Sequence, residues 1–488
     1  MKPARRITVP RFCLASVAAV AVLNGCTVGE DYVPPATTQA GPLDEWEARV
    51  DASVVRQPLD PEVLASWWTT LDDAKLTDLI GRATDANLDL RAASAQLRQA
   101  RAERKIAAAE GAPQIGLSAG AQSSRQNRDT TSLYSAGLDA SWELDLFGRI
   151  ARGVEAAEAE LQATEENRRD VLVSVLAEVA VNYAELRTLQ QQRLVTQSNL
   201  ELQQESLRIA EAQERLGEAS PLDVDRARAN VETTRAVLPT LEQQIEQVLN
   251  RLAVLVGENP GVLDTYLGEP EALPVPPVTV AVGVPAEVLR RRPDVRRAER
   301  QLAAQSARVG VALAELYPKF TLNGTIGLQA PSTSSLFDAA NLVFSVGPRA
   351  QWTIYDGGRL RQQVEVQDAL QEQALVEYER SILTALEDVE NAVTAYVQEQ
   401  IRYVSLQSAE ASAARAADAA RARYEAGETD FLAVLDAQRT LLDSQDALAQ
   451  SEGLIVGNLI RLYKSLGGGW SPEPPEAPEP AETSADAA

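Results

Sequence analysis

From Arg149 to Leu216 the chain runs without a proline, and its only glycine there is Gly153, near the start. Proline and glycine are the residues that most weaken a helix, so their absence predicts one continuous element. At 1.5 Å per residue, about 68 residues rise roughly 100 Å as a helix. A globular core does not readily hold an element that long. Leu172, Val175, Leu176, Val179 and Tyr183 follow three- and four-residue spacing, which gives a narrow apolar seam. Gly217, Ser220 and Pro221 then mark a tight reversal, and a second helical stretch returns from Leu222 to Val256. The pair reads as an antiparallel coiled-coil hairpin.

The same event occurs twice. Arg359 to Ala426 again lacks both proline and glycine, Gly427 turns the chain, and a last helix runs to Leu466. Trp142 and Trp352, Gly148-Arg149 and Gly358-Arg359, Gly217 and Gly427, and Gly257 and Gly467 all recur at an offset of 210 residues. Pro113 and Pro318 recur at 205. Residues 61–257 and 291–467 are therefore two internal repeats, joined by a Pro-rich connector at 258–290.

Each repeat also carries a short alternating stretch before its long helix. In 136–149, AGLDASWELDLFGR, every second residue from Ala136 to Leu146 is apolar. With Ile115, Leu117, Ala119 and Ala121 this predicts a hairpin at about 114–146, two strands of about ten residues around a polar tip at 123–132. The second hairpin falls at about 319–355, with a tip at 330–340 and a bulge or bend expected at Pro348 in its return strand. A strand near ten residues with one apolar face matches the membrane-spanning length of a β-barrel. Four such strands cannot close a barrel, and open edges are not tolerated in lipid. Chains must pool strands: two would give eight, three would give twelve. Trp142, Phe147, Trp352 and Tyr355 stand where an aromatic girdle would lie, at the helix-side rim. The competing architecture is a periplasmic coiled-coil rod with its strands packed in a small sandwich.

Composition narrows the function. The chain has no histidine, which removes His-based acid–base work and imidazole metal sites. No nucleophile–base constellation is visible, so an enzyme is not expected. Acids outnumber bases by 70 to 46, for a formal charge of −24, and such a surface repels nucleic acid. The basic run 289–300, LRRRPDVRRAER, accordingly reads as the start of a helix. Residues 1–25 read as a secretory signal, with Lys2, Arg5, Arg6 and Arg11 ahead of an apolar core from Phe12 to Leu23. Leu23-Asn24-Gly25-Cys26 resembles a bacterial lipobox, which makes Cys26 the expected acylation site; the alternative is ordinary cleavage leaving a free thiol. Residues 26–60 then form an acylated, irregular lead-in, and 471–488 read as a disordered tail. No cofactor or metal is expected beyond the lipid on Cys26.

Four stretches resemble a known family. They are CTVGEDYVPP at 26–35, SWWTTLDDAKLTDLIGRATDANLDLRAA at 66–93, RRPDVRRAERQLAAQSARVG at 291–310 and LYKSLGGGW at 462–470. Together they are similar to the TolC-like outer-membrane factors, and most to the lipoprotein channels of resistance–nodulation–division efflux pumps. That resemblance implies a mixed α/β channel: a homotrimer with a 12-stranded β-barrel and a long coiled-coil α-barrel, its connector in the equatorial region. It implies residence in the outer membrane and two partners, a periplasmic adaptor and an inner-membrane proton-driven transporter. The expected function is a passive exit duct for drugs or other small molecules. Alternatives are the duct of a protein-secretion or metal-export system, and a non-porous structural lipoprotein.

The resemblance also places a gate where the hairpins reverse. In DFLAVLDAQR, 430–439, Asp436 and Arg439 match the family's tip charge pair and Leu432 a hydrophobic constriction. Asp223 occupies another tip-aspartate position, while Ala433 stands where some members carry one more. Three-fold symmetry would bring three copies of each residue around one axis, so opposite charges bridging chains would hold a closed state. Adaptor docking is expected at the tips, around Gly217 and Gly427.

Overall fold

The computed structural model describes residues 27–35, 46, 54–55, 57–58, 60–127, 129–277 and 279–471. The signal segment, Cys26 and residues 472–488 lie outside the described residues. The main elements are α1 (Ala74–Ala86), α2 (Leu88–Ala109), β1 (Gln114–Gln126), β2 (Asp129–Leu144), α3 (Arg149–Leu216) and α4 (Pro221–Leu255). After the connector come α5 (Pro293–Ala314), β3 (Lys319–Ala330), β4 (Leu342–Gln351), α6 (Arg359–Glu425) and α7 (Phe431–Ser465). Among the described residues no helix is long and apolar enough to cross a membrane.

The chain divides into two compact units. One gathers the N-terminal segment, Ala95–Glu166 and Arg296–Ser381. Its centre is a four-stranded antiparallel sheet in the order β1-β2-β3-β4, which leaves β1 and β4 as open edges. The strands of the first hairpin, 13 and 16 residues, are longer than the ten expected, because pairing continues through its polar tip. Ser123 pairs with Ser132, and Gln126 with Asp129. The reversal needs only the two residues between, and Asn127 adopts φ +50°, as a two-residue hairpin turn favours.

Pro348 makes no bulge. Gly347, Pro348 and Arg349 pair in unbroken register with Asn323, Leu322 and Thr321. An edge strand has one row of amides outside the ladder, so a missing N–H is tolerated there. The return strand also stops sooner than expected, at Gln351, and leaves Trp352, Ile354 and Tyr355 beyond the sheet.

Each strand-to-helix junction is capped by an aspartate. Asp145 accepts from the Ala151 amide at 2.7 Å, and Asp356 accepts from the Gly358 and Leu360 amides at 3.0 and 2.9 Å. Gly148 at φ +80° and Gly358 at φ +89° supply the left-handed step that redirects the chain into each long helix.

The second unit holds the main core. Val175, Leu176, Val179 and Tyr183 of α3 are buried against Trp67, Leu76, Leu79, Leu252, Val393 and Leu459. Trp67 stacks on Tyr463, with centroids 5.4 Å apart. Arg187 of α3, fully buried, ties this core to the connector. It donates to the Glu269 carbonyl at 3.0 Å, to Gln190 Oε1 at 2.8 Å and to Glu271 Oε2 at 2.6 Å. Lys75 of α1 reaches the same Glu271 at 2.8 Å.

The Lys75 hydrogen bond, helped by the Arg187 charge, holds the Glu271 carboxyl below its ordinary value of 4.5 against a weaker push from burial. A depressed acid pKa stabilises the fold above the unfolded value, and that contribution is lost as pH falls through the folded one. Thermal melts should therefore show acid destabilisation below pH about 4.5 that Glu271→Gln reduces. Arg187→Met, which strips the connector of its buried donor, should cost about 3 kcal/mol at neutral pH.

Candidate channel wall and tip

The sheet is inside-out for a soluble protein. Ile115, Leu117, Leu138, Ile326, Phe344 and Val346 point to one face and are all exposed, Leu117 by 82% and Phe344 by 77%. They are brought together by register: Leu117 opposes Leu138, Leu138 opposes Ile326, and Ile326 opposes Phe344. The alternate face carries Ser118, Asp139, Thr325 and Ser345, with Ser118 donating to Asp139 and Thr325 hydrogen-bonded to Ser345. Alternation of apolar and polar rows across four strands, broken on the polar face only by Leu133 and Val343, with the apolar row bare, is the surface of a strand in lipid.

The rim aromatics fall at the ends of these strands, and the repeat places two of them alike. Trp142 donates its indole N–H to the Gly111 carbonyl at 3.0 Å, and Trp352 donates to the Leu316 carbonyl at 3.0 Å. Each acceptor lies two residues before the repeated proline, Pro113 or Pro318. Both rings remain exposed, so each tryptophan has an anchored polar end and a free apolar face, as interfacial residues do. Phe147 stacks on Tyr317 with centroids 4.8 Å apart. The sequence reading missed Tyr317, whose place beside Phe147 comes from the fold. Tyr355 is 89% exposed.

The two hairpin tips are built alike. Gly217, at φ +82°, donates to the Glu214 carbonyl while Glu218 donates to that of Gln213. Gly427, at φ +74°, and Glu428 repeat those bonds with Tyr424 and Arg423. This double bond is the glycine-terminated helix end. Ala210, Val224, Ala227, Tyr424, Phe431, Val434 and Leu435 pack the tips into one cluster.

The caps differ, and the difference bears on the gate. Asp223 is the reciprocal member of a capping box with Ser220: its carboxylate accepts from the Ser220 hydroxyl at 2.8 Å and lies 3.7 Å from Arg226. In the second tip Asp430 caps the helix by itself, through the Ala433 amide at 3.1 Å. Asp436 stands at the position equivalent to Arg226 and Ala433 at that of Asp223. The repeat has thus reversed one charge and deleted the other. Asp436 is left exposed, and among the described residues it forms no ion pair in its own chain.

Leu432, Asp436 and Arg439 share the exposed stripe of α7, opposite the buried Phe431, Val434, Leu435 and Gln438. Arg439 does not bridge to Asp436 within the chain. Its Nε donates to Asn230 Oδ1 of α4 at 3.2 Å. Asn230 was not legible in the sequence as a tip residue, because its partner lies 209 positions away.

Residues 79–258 and 284–468 match the profile of the outer membrane efflux protein family. The chain belongs to that family. The two matched blocks follow the internal repeat and leave out most of the connector. The channel is 33% identical over 476 residues to the pyoverdine export outer membrane protein OpmQ of Pseudomonas aeruginosa, covering 94% of this chain and 97% of OpmQ. It is 31% identical over 471 residues to the toluene efflux pump outer membrane protein TtgF of Pseudomonas putida, covering 93% and 96%. The solved outer-membrane channel OprN superposes with a TM-score of 0.84 at 38% identity, covering 92% of this chain and all of that one. The protein is an outer-membrane efflux channel, with the fold of helical hairpins and a small antiparallel sheet that such channels share.

The paired indole bonds give a direct check on the rim. Trp142→Phe and Trp352→Phe should each lower stability in detergent by about 1 kcal/mol, the net worth of one hydrogen bond. Their effects should add in the double variant, measured by thermal melting.

Proposed function

We propose that this channel is the passive exit duct of a tripartite efflux pump, assembled as a homotrimer and anchored by a lipid on Cys26. The observation that carries the reading is the four-stranded sheet with a bare apolar face and two unpaired edges. In a bilayer both edges need partners, and three copies supply twelve strands around a lumen. The polar rows of Ser118, Asp139, Thr325 and Ser345 then face that lumen.

The tips are the adaptor-docking ends. Leu216, Leu222 and Leu432 are exposed there by 74%, 56% and 47%, beside Gly217 and Gly427. An inner-membrane transporter of the resistance–nodulation–division class supplies the energy, and the duct itself carries out no chemistry. OpmQ and TtgF, nearly equal in identity to this chain, are named for compounds as unlike as pyoverdine and toluene. That spread fits a duct whose cargo is chosen by its pump.

At rest, Arg439 holds α7 to α4 through Asn230, and the unpaired Asp436 is free to bridge to a neighbouring chain. A charge-assisted hydrogen bond is worth about 1.5–3 kcal/mol, so three symmetric copies bias the tip strongly to closure. Single-channel recordings of the mature protein in planar bilayers test this. The wild type should show small, brief openings, and Asp436→Ala and Arg439→Ala should each raise open conductance or open probability by about tenfold or more. A pore unchanged in both variants places the gate elsewhere. No pore from folded protein contradicts the duct.

A further inference from the structure

Arg152, in the first turn of α3, is buried and has no part in the wall or the tip. Its side chain is 4% exposed. The guanidinium donates to the Val28 carbonyl at 3.3 Å, to the Gly29 carbonyl at 2.9 Å and to Asp31 Oδ1 at 2.9 Å. Its remaining bond goes to Glu155, at 2.7 Å. Burying a guanidinium is costly unless its donors are met, and here most are met by the segment just after Cys26.

Other contacts hold the same segment. The Val28 amide donates to the Phe147 carbonyl at 3.1 Å. A Cβ on Gly148 would fall 2.9 Å from Thr27 Cα, and one on Gly29 would fall 3.1 Å from Gly310 Cα. Two close backbone approaches therefore need glycine. Further along, the Tyr32 hydroxyl donates to Glu299 at 3.5 Å, and the Arg300 guanidinium lies 5.8 Å from the Tyr32 ring centre. Burial raises the Tyr32 pKa, so the hydroxyl stays a donor. The lead-in is irregular in residues 27–35, as expected, and its stretch from Thr27 to Tyr32 is docked by these contacts.

We infer that residues 27–35 are a latched strap that fixes the chain's point of membrane attachment at the foot of the sheet, with Arg152 as the positioning residue. The inference rests on the reading that Cys26 is acylated. The described strap begins at Thr27, packed on Gly148, with the Val28 amide bonded to Phe147, so the chain that leads to Cys26 is held at the end of β2. A loose tether of nine residues would let that anchor roam about 30 Å. The latch removes that freedom and presents the strands to the bilayer at a fixed distance, which raises their effective concentration there.

The test compares full-length wild type with Arg152→Gln, Arg152→Lys, Gly29→Val and Cys26→Ser, the last behind a cleavable signal. Hydrogen exchange reads the strap, intact mass reads acylation, and heat-resistant oligomer in outer membranes reads assembly. Wild type and Cys26→Ser should both protect the Val28 amide. Arg152→Gln and Gly29→Val should exchange about tenfold faster or more while keeping the lipid mass. Their assembled fraction should drop to that of Cys26→Ser, and Arg152→Lys, which keeps the charge, should recover part of it.

Arg152→Gln should cost nothing further in the Cys26→Ser background, since both then lack a positioned anchor. A loss of equal size in both backgrounds means Arg152 acts only on folding and overturns the inference, as does a strap whose protection neither variant changes. An unmodified Cys26 in wild type refutes the anchor reading and the positioning claim with it. Protection at Val28 would still report the latch, so the two failures are told apart.

Discussion

Unpaired backbone groups on the two sheet edges are the constraint on which the proposed assembly of this channel depends. β1 and β4 each present a row of N–H and C=O groups with no strand partner among the described residues. In water such a row is hydrated. In hydrocarbon each group costs several kcal/mol, far more than a domain's net stability can absorb along a whole strand. The exposed apolar row of Leu117, Leu138, Ile326 and Phe344 suits the sheet to lipid, and in the proposed homotrimer the edges find their partners on other copies. Each long helix leaves a strand through an aspartate cap and a left-handed glycine, so the wall that begins in the membrane continues as helix without a loose joint.

The duplication shows which parts of that design are generic and which are specialised. Both tips end on the same glycine-terminated turn, and both rims hang a tryptophan on a carbonyl two residues before a proline. The halves depart at the residues of the proposed gate. Asp223 is occupied by its own cap and by Arg226. In the second half the Asp436 carboxylate has no ion-pair partner among the described residues, and Arg439 donates to Asn230. In the proposed gate the carboxylate without a local partner is the one that bridges chains, whereas Asp223 is already held in its capping box.

Local pattern made most of the architecture legible. The helices α3 and α6 followed from the absence of proline and glycine, and the strands from alternation around Trp142 and Ile326. The first hairpin's tip was misjudged because Ser123, Ser124 and Thr131 look like loop residues, while pairing in a sheet is decided by register and turn geometry. Pro348 was misjudged because its edge position is a tertiary fact. The stretch 26–35 and Arg439 stood out by resemblance, but the docking of the strap and the Asn230–Arg439 bond had no signal in the local pattern. Arg152 reaches backbone carbonyls more than 120 residues away, and no side-chain pattern announces a carbonyl.

The central claim is that strands are pooled among chains, and the mass of the protein extracted from outer membranes tests it most directly. Light scattering corrected for detergent should return three mature chains per particle, in a species whose β-structure content survives dilution. A stable single chain with the same β content and a conducting pore would mean that one chain satisfies its own edges, and would contradict the account.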